Sequence, residues 1–260
     1  ESLANESSYE NNKWSFYVEV IDSRSKILLL ANAPHPDVAA VKNVIERDEN
    51  VEVTSMLTSE FSGSLEEYAL LILHEPGGSA SGNFLQKVKI AKLPVLYMIG
   101  KNSSPSIVKQ LGIGLSLPSG RRSDEVQSSL KSGFQLFEVS SDLSSGLEYW
   151  PPLNVPFGEI RASQGDVLLT QRIGSVVKKD PILYFTSGNR KQGAIIGEGL
   201  WRWKLMEYAR TKGNKGFNEL IQKSVQYLVV KKNTDALRVN LPRRFNVNDD
   251  VIINAEFYNS

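Results

Sequence analysis

The chain contains no cysteine. Thiolate nucleophiles, disulfides and cysteine-ligated metal sites are therefore excluded. Histidine is scarce too, with His35 and His74 alone, so few imidazoles are available for acid–base or metal chemistry. Net charge is nearly absent, at +1 from 30 basic and 29 acidic residues, which gives no strong field toward nucleic acid. No apolar run approaches the roughly 20 residues needed to span a bilayer. Neither G-x-G-x-x-G nor a Walker A sequence occurs, and no G-x-S-x-G elbow occurs. The nearest approach to that elbow, Gly78-Ser79-Ala80-Ser81-Gly82, puts Ala80 where a nucleophile belongs.

What is present is an ordinary soluble composition over 260 residues, enough for one large α/β domain with short additions or for two small domains. Period-two alternation at Trp14, Phe16, Val18 and Val20 predicts a half-buried strand. Lys26–Ala31 (KILLLA) is a continuous apolar run, as expected for a parallel strand covered on both faces. A helix with Val38, Val41, Val44 and Ile45 on one face follows, then strands at Val51–Met56 and Tyr68–Leu73. A helix is expected over Ser81–Lys92 and a fourth strand over Pro94–Ile99. Strands alternating with helices imply right-handed crossovers and a doubly wound, mainly parallel, flavodoxin-like sheet.

Residues 100–135 give a weak pattern. A short strand is expected at Phe134–Val139. Later strands are expected at Glu159–Ala162, Asp166–Arg172, Pro181–Thr186 and Gly193–Gly197, antiparallel in character, with a hairpin connection at Ser187–Gly193. Helices are expected at Leu200–Arg210 and from the N-cap Asn214 onward. Trp201 and Trp203 point to different helix faces, so one of them should enter the core. Alternation at Leu237, Val239, Leu241 and at Val251, Ile253, Ala255, Phe257 reads as opening strands of a β-sandwich. The expected organisation is 1–24 as the end of a preceding β-domain, 25–232 as the α/β domain and 233–260 as the start of a following one. The chain begins with Glu1 and is expected to be a segment of a longer polypeptide.

KILLLANAP at 26–34, LLILHEPGG at 70–78 and PVLYMIG at 94–100 resemble, in that order, the first strand, the strand before the oxyanion loop and the nucleophile strand of class I glutamine amidotransferases. The resemblance covers residues 25–230 and implies that fold. It also implies a cysteine where Ile99 stands, and a histidine and acid near 193–199 (GAIIGEG), where Glu198 is the nearest acid and no histidine occurs. GLWRWKL at 199–205, and FYVEVID at 16–22 running into KILLLA, resemble a group of bacterial membrane-anchored envelope proteins. That group carries a nucleophile-free amidotransferase-like domain beside von Willebrand factor A or immunoglobulin-like domains. The resemblance implies a pseudoenzyme on the periplasmic side of an inner membrane. It also implies flanking domains and other envelope proteins as partners.

The carboxyl ends of parallel strands are where α/β sheets bind ligands. His35, His74, Glu75, Gly77, Gly78, Lys101 and Asn102 fall there and form the candidate crevice. His74 beside Glu75 has the form of a base held by a carboxylate; a capped loop histidine is the plainer alternative. Gly77 and Gly78 could offer amides to an anion, or simply make a tight turn. Two histidines alone make a poor metal site, so no metal and no cofactor is assigned. Three functions stay open: a non-catalytic module for interaction or scaffolding, a small-ligand binder, and an atypical hydrolase. A serine in reach of either histidine would favour the last, and a packed crevice mouth the first.

Overall fold

The structure, a computed structural model, describes residues 24–77, 82–120 and 122–230, and two backbone strands beyond them. The first half holds four parallel strands and two helices, with β2 running to β3 without a helix between: β1 (Ser25–Ala31), α1 (Pro36–Ile45), β2 (Val51–Leu57), β3 (Leu70–His74), α2 (Gly82–Ile90) and β4 (Val95–Ile99). Then come α3 (Pro105–Gln110), β5 (Leu115–Ser116), β6 (Ser123–Leu130), α4 (Ser141–Tyr149), β7 (Leu153–Pro156) and β8 (Arg161–Ala162). The chain continues through β9 (Asp166–Ile173), β10 (Val176–Ser187), β11 (Lys191–Ile196), α5 (Leu200–Thr211) and α6 (Lys215–Val229).

Nine strands form one sheet in the order β2-β1-β3-β4-β11-β10-β9-β6-β7. The apolar runs of β1, β3 and β4 are buried throughout, as expected of strands with helices on both faces. Their pleat sorts the side chains. Ile27 and Leu29 face the core built with Val41 of α1, Leu143 of α4, Trp203 of α5 and Phe217 of α6. Leu28 and Leu30 face the opposite core, with Phe84 and Val88 of α2 and Val108 of α3. The domain is thus a three-layer α/β structure.

Two expectations are corrected. The sheet is mixed rather than mainly parallel: β2, β1, β3, β4 and β11 run parallel, while β11-β10, β10-β9, β9-β6 and β6-β7 pair antiparallel. The hairpin at 188–190 returns β11 beside β4, so this last strand is antiparallel on one edge and parallel on the other. Phe134–Val139 is not a strand. Phe134 and Phe137 meet edge to face at 4.9 Å and both lie against Phe185, so these apolar side chains plug a core edge from an irregular segment.

Trp203 enters the core at 1% exposure and stacks on Trp150 at 4.7 Å, while Trp201 stays 40% exposed. Beyond residue 230, β12 (Leu237–Asn240) and β13 (Asn254–Phe257) pair antiparallel as a separate two-stranded sheet. The strand expected at 14–20 lies outside the described residues. No described helix is long and apolar enough to cross a membrane.

Candidate functional site

The parallel register brings the carboxyl ends of four strands level. Ala31 of β1 lies beside His74 of β3, His74 beside Met98 of β4, and Ile99 beside Ile196 of β11. Past these ends the ladder runs one residue further, because Glu75 N donates to Met98 O and Gly197 N donates to Ile99 O, each at 2.8 Å. The site is built from what the chain does immediately afterwards.

After β3, Glu75 takes a left-handed backbone, φ 49°, which a non-glycine residue adopts only when its surroundings hold it. Its carboxylate is held by Asn102: Oε1 accepts from Asn102 N and Oε2 from Asn102 Nδ2, both at 3.1 Å. After β4 the chain turns at Gly100, whose amide donates to Ser103 Oγ at 3.1 Å. After β11, Gly197 and Gly199 take positive φ on either side of Glu198, so its side chain swings back over the sheet end. Glu198 Oε1 accepts from Lys101 N at 2.7 Å.

These three turns converge on Gly100. A Cβ there would sit 2.5 Å from Glu198 Oε1 and 2.6 Å from Glu75 Oε1, so any side chain would have to displace a carboxyl. Both Oε1 atoms therefore crowd the same point above Gly100, and two buried carboxyls this near favour retaining one proton. The pair splits accordingly. Burial pushes Glu198 up, its hydrogen bond to Glu75 adds to this, and the Lys101 amide opposes it. Burial also acts upward on Glu75, but the bonds from Asn102 and Glu198 outweigh it and hold Glu75 below the usual range. Two carboxyls this close titrate as one unit, the first proton leaving readily and the second held more tightly.

The two histidines meet beside this pair, with ring centroids 4.8 Å apart. His35 is not a free loop residue: it caps α1, with Nδ1 accepting from Asp37 N at 3.2 Å. His74 ends β3 fully buried, and its Nδ1 has no hydrogen-bond partner. Burial lowers its pKa to about 4; Glu75 opposes the shift and His35 adds to it. Below the histidines, Asp37 is buried and pins the start of α5. Its Oδ2 accepts from Gly199 N and its Oδ1 from Trp201 N, each at 2.8 Å. Burial raises the Asp37 pKa against those two bonds.

His35, His74, Glu75, Gly77, Lys101 and Asn102 thus fall in one cluster, as their strand-end positions imply. Gly78 lies outside the described residues. Lys101 and Asn102 have exposed side chains, but their backbone amides are taken by Glu198 and Glu75. Gly77 is needed for close approach: a Cβ there would lie 3.1 Å from Asn102 O. Ile99 is 1% exposed and packs with Val108 and Ile196 below the turn. Among the described residues, no serine bonds either histidine and no three potential ligands converge for a metal.

Glu198, the acid nearest the expected histidine position, has no base to orient and instead lies beside another acid, Glu75. Asp37 was missed altogether. The available signals were the glycines flanking Glu198, and an acid in the first turn of a helix that begins with proline.

No family model and no curated protein matches the chain. Solved structures do resemble it. A β-galactosidase from Bacillus circulans sp. alkalophilus aligns with a TM-score of 0.50 at 12% identity, over 84% of this chain and 34% of that one. This chain therefore spans about a third of the length of that enzyme. PurLQS from Thermotoga maritima aligns at 15% identity and TM-score 0.44, over 79% of this chain and 99% of that chain. A ThuA-like protein from Bacteroides uniformis aligns at 12% identity and TM-score 0.47, over 85% and 97%. At 12% identity the likeness to the β-galactosidase is one of fold alone and carries no activity with it.

Proposed function

We propose that this chain is a non-catalytic, flavodoxin-like domain of the class I glutamine amidotransferase type, serving interaction or scaffolding in a longer cell-envelope protein. One observation carries the reading. The strand-end position where such a fold would hold substrate is filled by the chain's own groups, Glu75 and Glu198 closing over Gly100 with Ile99 buried beneath. An acyl-transfer site needs an activated nucleophile and open oxyanion donors. Here the amides of Lys101 and Asn102, on the turn after the strand that resembles the nucleophile strand, already bond carboxylates. The order of the three sequence stretches supports the family, and the absence of cysteine supports the loss of its chemistry. A periplasmic setting and neighbouring β-domains as partners follow from the same resemblance.

The test is ammonia release from glutamine by purified protein. The expected rate equals that of a heat-killed control. Activity that disappears on Glu198→Ala would overturn the reading. For the scaffolding role, the full-length parent should co-purify with envelope proteins, and its domain should be protease-accessible in spheroplasts.

A small-ligand binder is the second reading, and the unpartnered buried Nδ1 of His74 favours it. An unpaired buried polar atom is costly unless a water or ligand meets it.

A further inference from the structure

We propose that Glu75 and Glu198 hold one proton between them across Gly100, and that loss of this proton releases the Lys101–Asn102 turn from the carboxyl end of β4. The site is a proton-binding latch, and it rests on geometry rather than on the family reading. Each carboxyl has two tasks. Glu198 Oε1 accepts from Lys101 N and Glu75 accepts from Asn102 N and Nδ2, so both sides of the turn hang from the pair. Both Oε1 atoms also crowd the same point above Gly100, which has no side chain to hold them apart. With one proton shared, contact and turn are satisfied together. With none, two buried negative charges are pressed together, and the least costly relief is to swing one carboxylate outward. Either movement withdraws the acceptor from Lys101 N or Asn102 N. Glu75 is the side that yields more readily, since its left-handed backbone relaxes when its bonds are lost.

The charged and titratable groups around the pair come from every strand end. His74 stands next to Glu75 on β3 and attracts it when protonated. His35 and Asp37 face His74 and α5 from the start of α1. Lys101 approaches Glu198 from the β4 turn and favours its ionised form. Arg202 on α5 faces Asp37 and lies 4.0 Å from Glu125 of β6, so its charge is divided. Asn154 on β7 meets the Glu198 backbone without charge. Asp37 titrates in the same chain, but its bonds go to Gly199 N and Trp201 N. The latch and Asp37 are therefore read by different amides.

The experiment is amide hydrogen exchange by NMR on the whole chain, from about pH 5 to about pH 9. Once corrected for intrinsic base catalysis, protection at Lys101 and Asn102 should be constant while the pair holds its proton. It should then fall by up to about tenfold per pH unit once the proton leaves. Glu198→Gln keeps the contact with a neutral amide and should hold protection at these two amides flat to the highest pH. A wild-type profile without any fall overturns the latch, and so does a Glu198→Gln profile that still falls. Should the variant not fold, the wild-type profile decides alone. A fall at Gly199 and Trp201 without one at Lys101 and Asn102 assigns the titration to Asp37 and also overturns it.

Discussion

A single methylene at residue 100 has nowhere to go. The Cβ of Gly100→Ala would overlap Glu198 Oε1 and Glu75 Oε1, so one carboxyl must leave the site or the turn must shift. The expected cost is roughly 1–3 kcal/mol, typical of overpacking, measured by urea unfolding. A neutral result would place the carboxyls elsewhere. Beneath it, Ile99→Ala truncates a side chain at 1% exposure and should cost roughly 2–5 kcal/mol. His74 makes a prediction with a sign. Its folded pKa of about 4 lies below the ordinary 6.5, so between those values the unfolded chain binds the extra proton. Its share of stability is complete above pH 6.5 and is lost as pH falls to about 4, up to roughly 3 kcal/mol if no other group compensates. Urea midpoints measured across that window should fall with acidification, and His74→Leu should flatten the slope. An unchanged slope in the variant would assign the acid sensitivity to another group.

Elements were more legible than the contacts between their ends. Continuous apolar runs marked β1, β3 and β4 because burial on both faces leaves no polar position to mislead the pattern. Helical spacing marked α6, whose Phe217, Leu220, Ile221, Val225 and Leu228 are all buried. The region between β4 and α4 was obscure for a physical reason: β6 alternates Ser, Asp, Glu and Gln with only Val126 and Ser128 buried, so its hydrophobic signal is nearly absent. Phe134–Val139 misled in the opposite sense, because apolar side chains can seal a core edge without ladder bonds. The strand ends placed His35, His74, Glu75, Lys101 and Asn102 together, since sheet register needs only strand assignments. The meeting of Glu75 with Glu198 was hidden, because it depends on two turns 123 residues apart and on the φ signs of Gly197 and Gly199. The Asp37 contact with α5 was hidden likewise, yet it carries an element-scale prediction. Asp37→Ala removes the acceptor for Gly199 N and Trp201 N at the start of α5. Unpaired amides cost about 1–3 kcal/mol each, so the variant should lose a few kcal/mol. Exchange should accelerate most at those two amides and less at the start of α6, which is capped by Glu207 two turns further along α5.

At the scale of the molecule, the question is where the folding unit ends. Among the described residues, the nine-stranded sheet and its two cores lie within residues 25–230, with β2 and β7 as the outermost strands and α6 closing one face. The segments outside have a different character. Residues 14–20 and the stretches around 237–241 and 251–257 alternate with period two, which suits strands with one wet face and not the doubly covered strands of this core. β12 and β13 pair with each other in a two-stranded sheet of their own. A lone two-stranded sheet is marginal in water, so these strands gain stability from whatever they join rather than lending it. The core, by contrast, is built among the described residues from large buried side chains such as Trp150, Trp203, Phe185 and Phe217. Deleting residues 1–22 and 237–260 should therefore leave a domain that unfolds in one cooperative thermal transition, with a midpoint within a few degrees of the whole chain. Loss of the cooperative transition would mean that the flanking strands complete the core, and the boundaries drawn at 25 and 232 would have to move.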